Sequence, residues 1–397
     1  MDERRRQIIK TSLFGALAAA AGAPLTGCGA GGGSAQPPPA PSSSFGPLQA
    51  PDSNGIRMPA GFQARIVARS GESPLAGTGY VWHSAPDGGA TFPSQDGGWV
   101  YVSNCEMPNQ GGGVGALRFD ASGQVIGAYP ILDGTSVNCA GGPTPWNTWL
   151  SCEEFDLGNV WECDPMGQFM PVRRPALGTF QHEAAAVDPQ TGIVYLTEDQ
   201  TDGRLYRFTP AGQTQSGVPD LSSGLLEVAE VIGGEEGQVT WHTVPDPDAA
   251  VAETRNQVAA STVFNRGEGV WYDSGTVYFS TTGDNRIWML DVMNQALSIL
   301  YDDDLFAQPI LRGVDNITVS PRGDVLVAED GDDMQLVAIT PTGDIEPVLQ
   351  IVGHSRSEIT GPAFDPSGKR LYFSSQRGST NTDDGGVTYE LSGPFPT

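Results

Sequence analysis

A short strand motif recurs along the chain at nearly regular intervals. Six segments, VYVS, TWLS, VYLT, VYFS, VLVA and LYFS, end at Ser103, Ser151, Thr197, Ser280, Ala328 and Ser374. The steps between these ends are 48, 46, 83, 48 and 46 residues, and the long step contains a Gly/Asp/Pro-rich insertion within 209–265. A period in the forties with several short strands per unit is typical of a β-propeller. The sequence therefore predicts an all-β, six-bladed β-propeller.

Residues 178–208 show one complete unit of this repeat. Glu183 opens the small-residue strand AAAV, and the turn DPQTG leads to the strand IVYLT. That strand is followed by the acidic pair Glu198 and Asp199, and then by a third strand, RLYRF. Turns rich in Gly and Pro between alternating apolar segments predict antiparallel neighbours. Each repeat is thus expected to form one small sheet with acidic residues at a strand end.

The N-terminal residues have the features of an export signal. RRRQIIK at 4–10 matches a twin-arginine signal, and the apolar segment at 13–23 that follows is too short to span a membrane. LTGC ends at Cys28 and resembles a lipoprotein box, so we expect a lipid anchor on Cys28 and a periplasmic or cell-surface location. The predicted organisation is a signal at 1–28, a flexible tether at 29–57 and the propeller at 58–397.

The charge of the chain restricts its partners. Lys and Arg number 21 against 47 Asp and Glu, which gives a formal net charge of −26. Nucleic acid is excluded as a partner, because binding it requires basic groups that neutralise phosphates. An anionic substrate would be tolerated at clustered carboxylates only if bound cations offset their charge.

The repeat also predicts where polar side chains converge. In a propeller, the residue that opens each innermost strand faces the central axis. We place these positions 12–14 residues before the strand ends, at Gly89, Cys139, Glu183, Glu268, Asn316 and Thr360. The second strands end on the same face, and their exits carry Asn104, Glu106, Glu153, Glu154, Glu198, Asp199, Glu329 and Asp330.

This set of side chains predicts a metal site. Converging carboxylates either have raised pKa values or bind cations. Carboxylate and amide oxygens favour a hard cation such as Ca²⁺. The single thiol, Cys139, indicates that a softer metal such as iron shares the site.

Several of these segments resemble the PhoX-type alkaline phosphatase family. They are SNCE (103–106), NCAGGPTPWNTWLSCEE (138–154), the unit at 178–208, NRGEG (265–269) and DNITVSPRGDVLVAEDG (315–331). The resemblance implies a six-bladed propeller that is exported by the twin-arginine route. It also implies an enzyme that hydrolyses phosphate monoesters at a mixed iron and calcium cluster. The expected substrate is therefore a small phosphorylated molecule.

Residue roles follow from the matching motifs. The resemblance implies that Cys139 and Glu183 ligate iron, that Glu268 is a further metal ligand, and that Arg266 binds the substrate phosphate. The reaction centre would thus contain Arg266, Cys139 and Glu183. Asn316 remains a metal candidate from its axial position, and the calcium candidates from the resemblance are Glu106, Glu153, Glu198, Asp315 and Glu329.

Alternatives remain open from the sequence. A calcium-dependent, lactonase-like hydrolase and a non-catalytic, lipid-tethered calcium-binding propeller both fit the composition. We expect a monomer, and we expect His182 to pack within the sheet rather than act as a base. An exported protein permits disulfides, and either Cys152–Cys163 or Cys105–Cys152 is compatible with the repeat.

Overall fold

The computed structural model describes residues 44–396. The predicted export signal, Cys28 and the tether as far as residue 43 lie outside the described residues. Among residues 44–396, no helix is long and apolar enough to cross a membrane. The described chain consists of β-strands joined by turns, with short 3-10 helices at Pro175–Leu177, Thr254–Asn256, Thr282–Asp284, Asp303–Leu305, Gly378–Thr380 and Asp383–Gly385.

The strands are short and follow one another closely in sequence. β1 to β7 are Ile56–Arg57, Gln63–Arg69, Pro86–Pro93, Trp99–Cys105, Gly112–Phe119, Val125–Thr135 and Asn138–Pro143. β8 to β14 are Trp149–Glu153, Val160–Cys163, Val172–Arg173, His182–Val187, Val194–Glu198, Leu205–Pro210 and Gly224–Ile232. β15 to β20 are Gly237–Thr243, Gly267–Asp273, Thr276–Thr281, Arg286–Asp291, Ala296–Asp302 and Val314–Val319. β21 to β26 are Val325–Glu329, Gln335–Ile339, Ile345–Ile351, Ile359–Phe364, Arg370–Ser375 and Val387–Ser392.

Four antiparallel sheets form separate blades of a propeller-like fold. Two have the strand orders β3-β4-β5-β6 and β7-β8-β9-β10. The other two recruit strands from the N-terminal part of the described chain: β1 adds to β20-β21-β22-β23, and β2 adds to β24-β25-β26. Because β2 pairs with β26, near the end of the chain, the last blade joins distant parts of the sequence and closes the fold.

The fifth sheet has nine strands and corrects the prediction of six separate blades. Its order is β11-β12-β13-β14-β15-β19-β18-β17-β16. The insertion within 209–265 supplies β14 and β15, and Gly237 and Gln238 of β15 pair with Leu297 and Ala296 of β19. This outer-edge contact joins two runs of strands into one sheet, so the described chain has four separate blades and one double-width sheet.

The innermost strands pack side by side around an axis. Contacts run from β24 to β3, β7, β11, β16, β20 and back to β24. Small residues make this approach possible: a Cβ added at Gly142 would lie 1.7 Å from the carbonyl oxygen of Ala185. Only about 20 Å³ of space remains between these strands. A substrate-sized ligand therefore does not fit between the inner strands, and a candidate site must lie beyond the strand ends.

Aromatic side chains fill the space between sheets. Tyr101 of β4 stacks on Tyr372 of β25, with ring centroids 5.2 Å apart. Trp99 donates its indole N–H to the Tyr372 hydroxyl at 3.1 Å, so a buried polar group is satisfied across the same junction. The strands of the first and last blades are thereby held at fixed positions, which matters for the site that they share.

Candidate metal centre

A bulge near the start of each innermost strand aims one side chain at the axis. In β11, His182 pairs with Glu198, but the next pair is Ala185 with Leu196. The extra residue on β11 is a β-bulge, which bends the strand and redirects the side chain of Glu183. The other five innermost strands have the same irregularity, in β24 one residue later. The second residues of the six strands are Asp87, Cys139, Glu183, Glu268, Asp315 and Thr360.

A second tier follows the paired strand of most repeats. Glu106 and Glu154 come directly after β4 and β8, and their backbone N–H groups donate to the carbonyls of Ala85 and Val137 at 3.0 and 2.8 Å. Ala85 and Val137 have φ angles of 42° and 51°, in the left-handed region that non-glycine residues rarely adopt. Such backbone strain clusters at functional sites, and here it fixes where the second tier begins.

The two tiers form one cluster of acidic groups and a thiol, which we call the axial cluster. Glu106, Cys139 and Glu154 offer ligand atoms within 4.8 Å of one another. The same holds for Asp87, Glu106 and Glu358, and for Glu183, Glu268 and Asp315. The Cys139 thiol donates to Glu183 at 3.3 Å and so links these groups. The axial cluster therefore consists of Asp87, Glu106, Cys139, Glu154, Glu183, Glu268, Asp315 and Glu358.

Burial without enough positive charge makes this cluster costly to ionise. Burial, followed by repulsion from Glu268, raises the pKa of Glu183 well above its ordinary value. Burial, followed by the charge of Asp87, likewise raises the pKa of the Cys139 thiol. The pKa of Glu358 rises to about 7, chiefly through burial. Without cations, the cluster is therefore stable only when several members hold protons.

The donor set fits bound metal. One oxygen of Glu183, Oε2, is buried and has no hydrogen-bond partner among the described residues. Buried polar atoms are nearly always satisfied, so this oxygen at the centre of an acidic cluster is suited to coordinate a cation. Seven carboxylates suit hard cations, and the one thiol of Cys139 suits a softer metal beside them.

Two arginines lie at the open end of the cluster. Arg266 pairs with Asp199 through Nε and Nη2 at 2.9 and 2.8 Å, and Nη2 lies 3.2 Å from Glu268. Arg377 pairs with Glu358 at 2.9 Å. The sequence analysis predicted Arg266 but not Arg377. Arg377 lies two residues after β25 and outside the segments that carry the family resemblance.

Three predicted calcium ligands lie outside the axial cluster. Glu153, Glu198 and Glu329 are each the last residue of a strand, and successive side chains in a strand point to opposite faces. Glu329 accepts hydrogen bonds from the backbone N–H groups of Gln335 and Arg312, at 2.8 and 3.0 Å. Glu198 accepts from the Tyr206 hydroxyl at 2.8 Å. Glu153 accepts backbone N–H groups of Ser136 and Asn159, so all three carboxylates have hydrogen-bond partners away from the axial cluster.

Other axial predictions are displaced by one or two residues. Asn316 donates to Asp315 at 2.9 Å and accepts from the backbone of Gly361 at 2.8 Å, so it braces two inner strands and does not extend the cluster. At Gly89 the structure places a backbone pair with Ser103, and the carboxylate of that repeat is Asp87. The spacing of 12–14 residues missed Asp87 because β3 has eight residues, two more than β7, so its second residue lies 16 residues (103 − 87) before Ser103.

The last repeat supplies further residues that the sequence argument missed. Glu358 precedes β24, and Gln376 follows β25 at the exit position. The amide of Gln376 donates to Asp87 and, at 2.7 Å, to Glu106. The exit position of the repeat would have identified Gln376, whereas nothing in the spacing pointed to Glu358.

The remaining cysteines and His182 have structural positions. Cys105, Cys152 and Cys163 are free thiols. Cys152 lies opposite Val160 in the sheet rather than opposite Cys163, so neither candidate disulfide forms. The expectation that His182 packs within the sheet is confirmed, because its ring stacks on Phe180 with centroids 3.6 Å apart.

The fold and the axial cluster define a propeller-like protein with a candidate metal centre at one end of its axis. Residues 113–159, 155–301 and 301–378 match the family described as "Alkaline phosphatase PhoX". Because these matches cover more than half of the chain, the chain belongs to the PhoX alkaline phosphatase family.

Solved structures of other proteins are similar in fold. Pseudomonas fluorescens PhoX in complex with vanadate, a transition state analogue, has a TM-score of 0.71 at 18% identity, over 87% of this chain and 97% of that chain. XC5397 from Xanthomonas campestris, a gluconolactonase, has a TM-score of 0.50 at 14% identity, over 88% and 98%. No protein with a curated description matches the sequence. At these identities the likeness shows the propeller fold.

Proposed function

We propose that this protein is a metal-dependent phosphatase that hydrolyses small phosphate monoesters at the axial cluster. The observation that carries the proposal is the convergence of seven carboxylates and one thiol at the open end of the axis, beside Arg266 and Arg377. Membership of the PhoX family supports phosphate esters as the substrate class. The vanadate complex of the P. fluorescens protein supports the same chemistry.

The residues of the axial cluster would hold the cations. Cys139 and Glu183 are the proposed iron ligands, with Glu268 and Asp315 beside them, whereas the carboxylates around Glu106 suit calcium. When bound, such cations neutralise phosphoryl oxygens and lower the pKa of a coordinated water. The choice of iron and calcium rests on the thiol, the carboxylates and the family resemblance.

The chain's own groups would orient the substrate. Arg266 and Arg377 are the cationic side chains that pair with members of the cluster, so they are the proposed phosphate contacts. The space between the inner strands below the cluster is about 20 Å³, which is too small for a substrate. The ester's alcohol group would therefore point outward, away from the inner strands.

The cellular setting is also a proposal. We propose export by the twin-arginine route and a lipid anchor on Cys28, supported by RRRQIIK at 4–10 and LTGC at 25–28. The globular part would then act as a monomer at a membrane surface outside the cytoplasm. Globomycin sensitivity of processing, compared with a Cys28→Ala variant, would test the anchor.

Phosphate release from an aryl phosphate by metal-loaded protein tests the function. We expect turnover that is lost on chelation and in Cys139→Ala and Glu183→Gln, while circular dichroism shows an intact fold. Absence of hydrolysis across phosphate mono- and diesters in metal-replete protein would refute it. Opening of a lactone by protein that contains calcium but no iron would instead favour the lactonase-like alternative. Bound metal without any turnover would favour the non-catalytic alternative.

A further inference from the structure

Asp199 differs from the other acidic residues at the strand exits. Glu106 and Glu154 occupy the equivalent position in their repeats and belong to the axial cluster. Asp199 belongs to none of the candidate metal groups of the described residues. Instead, both of its oxygens accept hydrogen bonds from Arg266, at 2.9 and 2.8 Å. The repeat position that elsewhere supplies a metal-type ligand is here used to bind a cationic side chain.

We propose that Asp199 is a positioning residue that holds the Arg266 guanidinium with its Nη1 edge free for the substrate phosphate. The inference rests on the proposed phosphatase function. Asp199 acts through Arg266 and contacts neither substrate nor metal in this account.

The hydrogen-bond inventory of Arg266 supports this role. A guanidinium has five N–H groups, one on Nε and two on each terminal nitrogen. Nε and Nη2 each donate a hydrogen bond to Asp199, and Nη2 also lies 3.2 Å from a carboxylate oxygen of Glu268 as an ion pair. Nη1 has no partner among the described residues, and the side chain is 41% exposed. The Nη1 N–H groups are therefore left to bind a phosphate.

The backbone of Arg266 is fixed as well. Its φ angle is 57°, its N–H donates to the carbonyl of Gln200 at 2.8 Å, and its carbonyl accepts from Thr282 at 3.0 Å. Gln200 follows Asp199 directly, so one short segment anchors both the main chain and the side chain of Arg266. Such preorganisation reduces the ordering that a bound phosphate would otherwise require.

Loss of Asp199 would leave Arg266 with one remaining carboxylate partner. Glu268, a member of the axial cluster, already lies within reach of Nη2. A released guanidinium would turn toward Glu268 and withdraw Nη1 from the open end of the site. Asp199 thus limits how far the Arg266 guanidinium turns toward Glu268.

The test compares Asp199→Asn, Arg266→Ala and the double variant in metal-loaded protein with an aryl phosphate. We expect KM and the inhibition constant of inorganic phosphate to rise together by roughly tenfold in Asp199→Asn, with kcat changed less than about threefold. In the Arg266→Ala background, the same substitution should have no further effect, because Asp199 acts only through Arg266. Additive effects in the double variant would overturn the proposal, and so would loss of bound metal in Asp199→Asn.

A chemical readout separates this inference from the proposed function. Phenylglyoxal modifies accessible arginines, and peptide mass mapping gives the rate at Arg266. We expect that rate to rise severalfold in Asp199→Asn, whether or not the protein hydrolyses phosphate esters; an unchanged rate would overturn the holding role. Asp302→Asn is the matched control, because Asp302 pairs with Arg286 at 3.1 Å outside the site. It should change neither Arg266 modification nor KM.

Discussion

The two ends of the strands carry the same acidic residue types in opposite environments. At the end away from the axial cluster, Asp120 follows β5 and accepts backbone N–H groups of Ser122 and Gln124, each at 2.9 Å. Asp120 also accepts a hydrogen bond from the Ser122 hydroxyl. That bond, followed by the backbone ones, lowers the pKa of Asp120. At the axial end, burial and mutual repulsion raise the pKa of Glu183 and its neighbours. A carboxylate that caps a turn is stable as an anion, whereas one in the axial cluster needs a proton or a cation.

This contrast shows that acidity alone does not identify a site. The turn-end aspartates satisfy their lone pairs with backbone donors of their own loop, as expected for Asx turns. The axial carboxylates have few donors, and one oxygen of Glu183 has none among the described residues. The demand for an external positive charge therefore exists at one end of the strands.

The largest expected effect comes from the centre of the axial cluster. Glu183→Gln removes a charge that the proposed metal requires, so kcat/KM should fall at least about a hundredfold and bound metal should decrease. Asp365→Ala is the control from the other end, where Asp365 accepts backbone N–H groups of Lys369 and Arg370 at 2.8 and 2.9 Å. It should cost about 1–2 kcal/mol of unfolding free energy and leave kcat/KM unchanged. Equal kinetic losses in both variants would contradict the comparison.

Metal removal should reveal the raised pKa values as a pH dependence of stability. The folded-state pKa of Glu358 is about 7, above the ordinary glutamate value, so the folded state binds more protons. In metal-free protein, protonated Glu358 should therefore contribute its whole share of the unfolding free energy below about pH 4.5. That contribution should be lost as the pH rises through 7. Melting temperatures of chelated and metal-loaded protein from pH 5 to 8 check this. A difference in melting temperature between metal-loaded and chelated protein that stays constant with pH would argue against exchange of protons for metal in the cluster.

Neighbouring residues at one strand end provide a sharper comparison. Glu154 lies in the axial cluster, whereas Glu153 accepts backbone N–H groups of Ser136 and Asn159 at 3.2 and 3.3 Å. Glu154→Gln should lower kcat/KM by about tenfold or more, and Glu153→Gln should change it by less than about threefold. Kinetics with an aryl phosphate at saturating metal would measure both. A larger effect at Glu153 would show that the side-chain alternation has been assigned in the wrong sense.

The smallest expected effect concerns Arg377. Its guanidinium is anchored to Glu358 at 2.9 Å and lies 3.9 Å from Glu106. Arg377→Lys keeps the charge but loses the fork geometry, so KM should rise by about three- to fivefold with little change in kcat. Unaltered KM, with normal metal content, would remove Arg377 from the proposed phosphate contacts.

Much of the fold could be predicted from the repeat because each unit encodes its own turns and strand lengths. The double-width sheet could not, since the pairing of Gly237 with Leu297 joins an insertion to a strand far along the chain. No periodic pattern records that contact. The prediction of an all-β propeller was sound, whereas the count of separate blades was wrong.

The site was predictable where the repeat and the motifs agreed. Cys139, Glu183 and Glu268 lie in the axial cluster as predicted, because the spacing correctly located the starts of their strands. Asp87 was missed because β3 is two residues longer than β7 and β11, which puts its second residue outside the spacing used for the other repeats. Glu358 was missed because it reaches the cluster from the segment before its strand, which no strand periodicity describes.

Elemental analysis of protein matured in the cytoplasm and purified without chelator tests the central claim most directly. The account predicts bound iron together with a larger amount of calcium, both reduced in Glu183→Gln and unchanged in Asp365→Ala. Folded wild-type protein that contains no stoichiometric metal would contradict it, because the axial cluster would then be stabilised by protons alone.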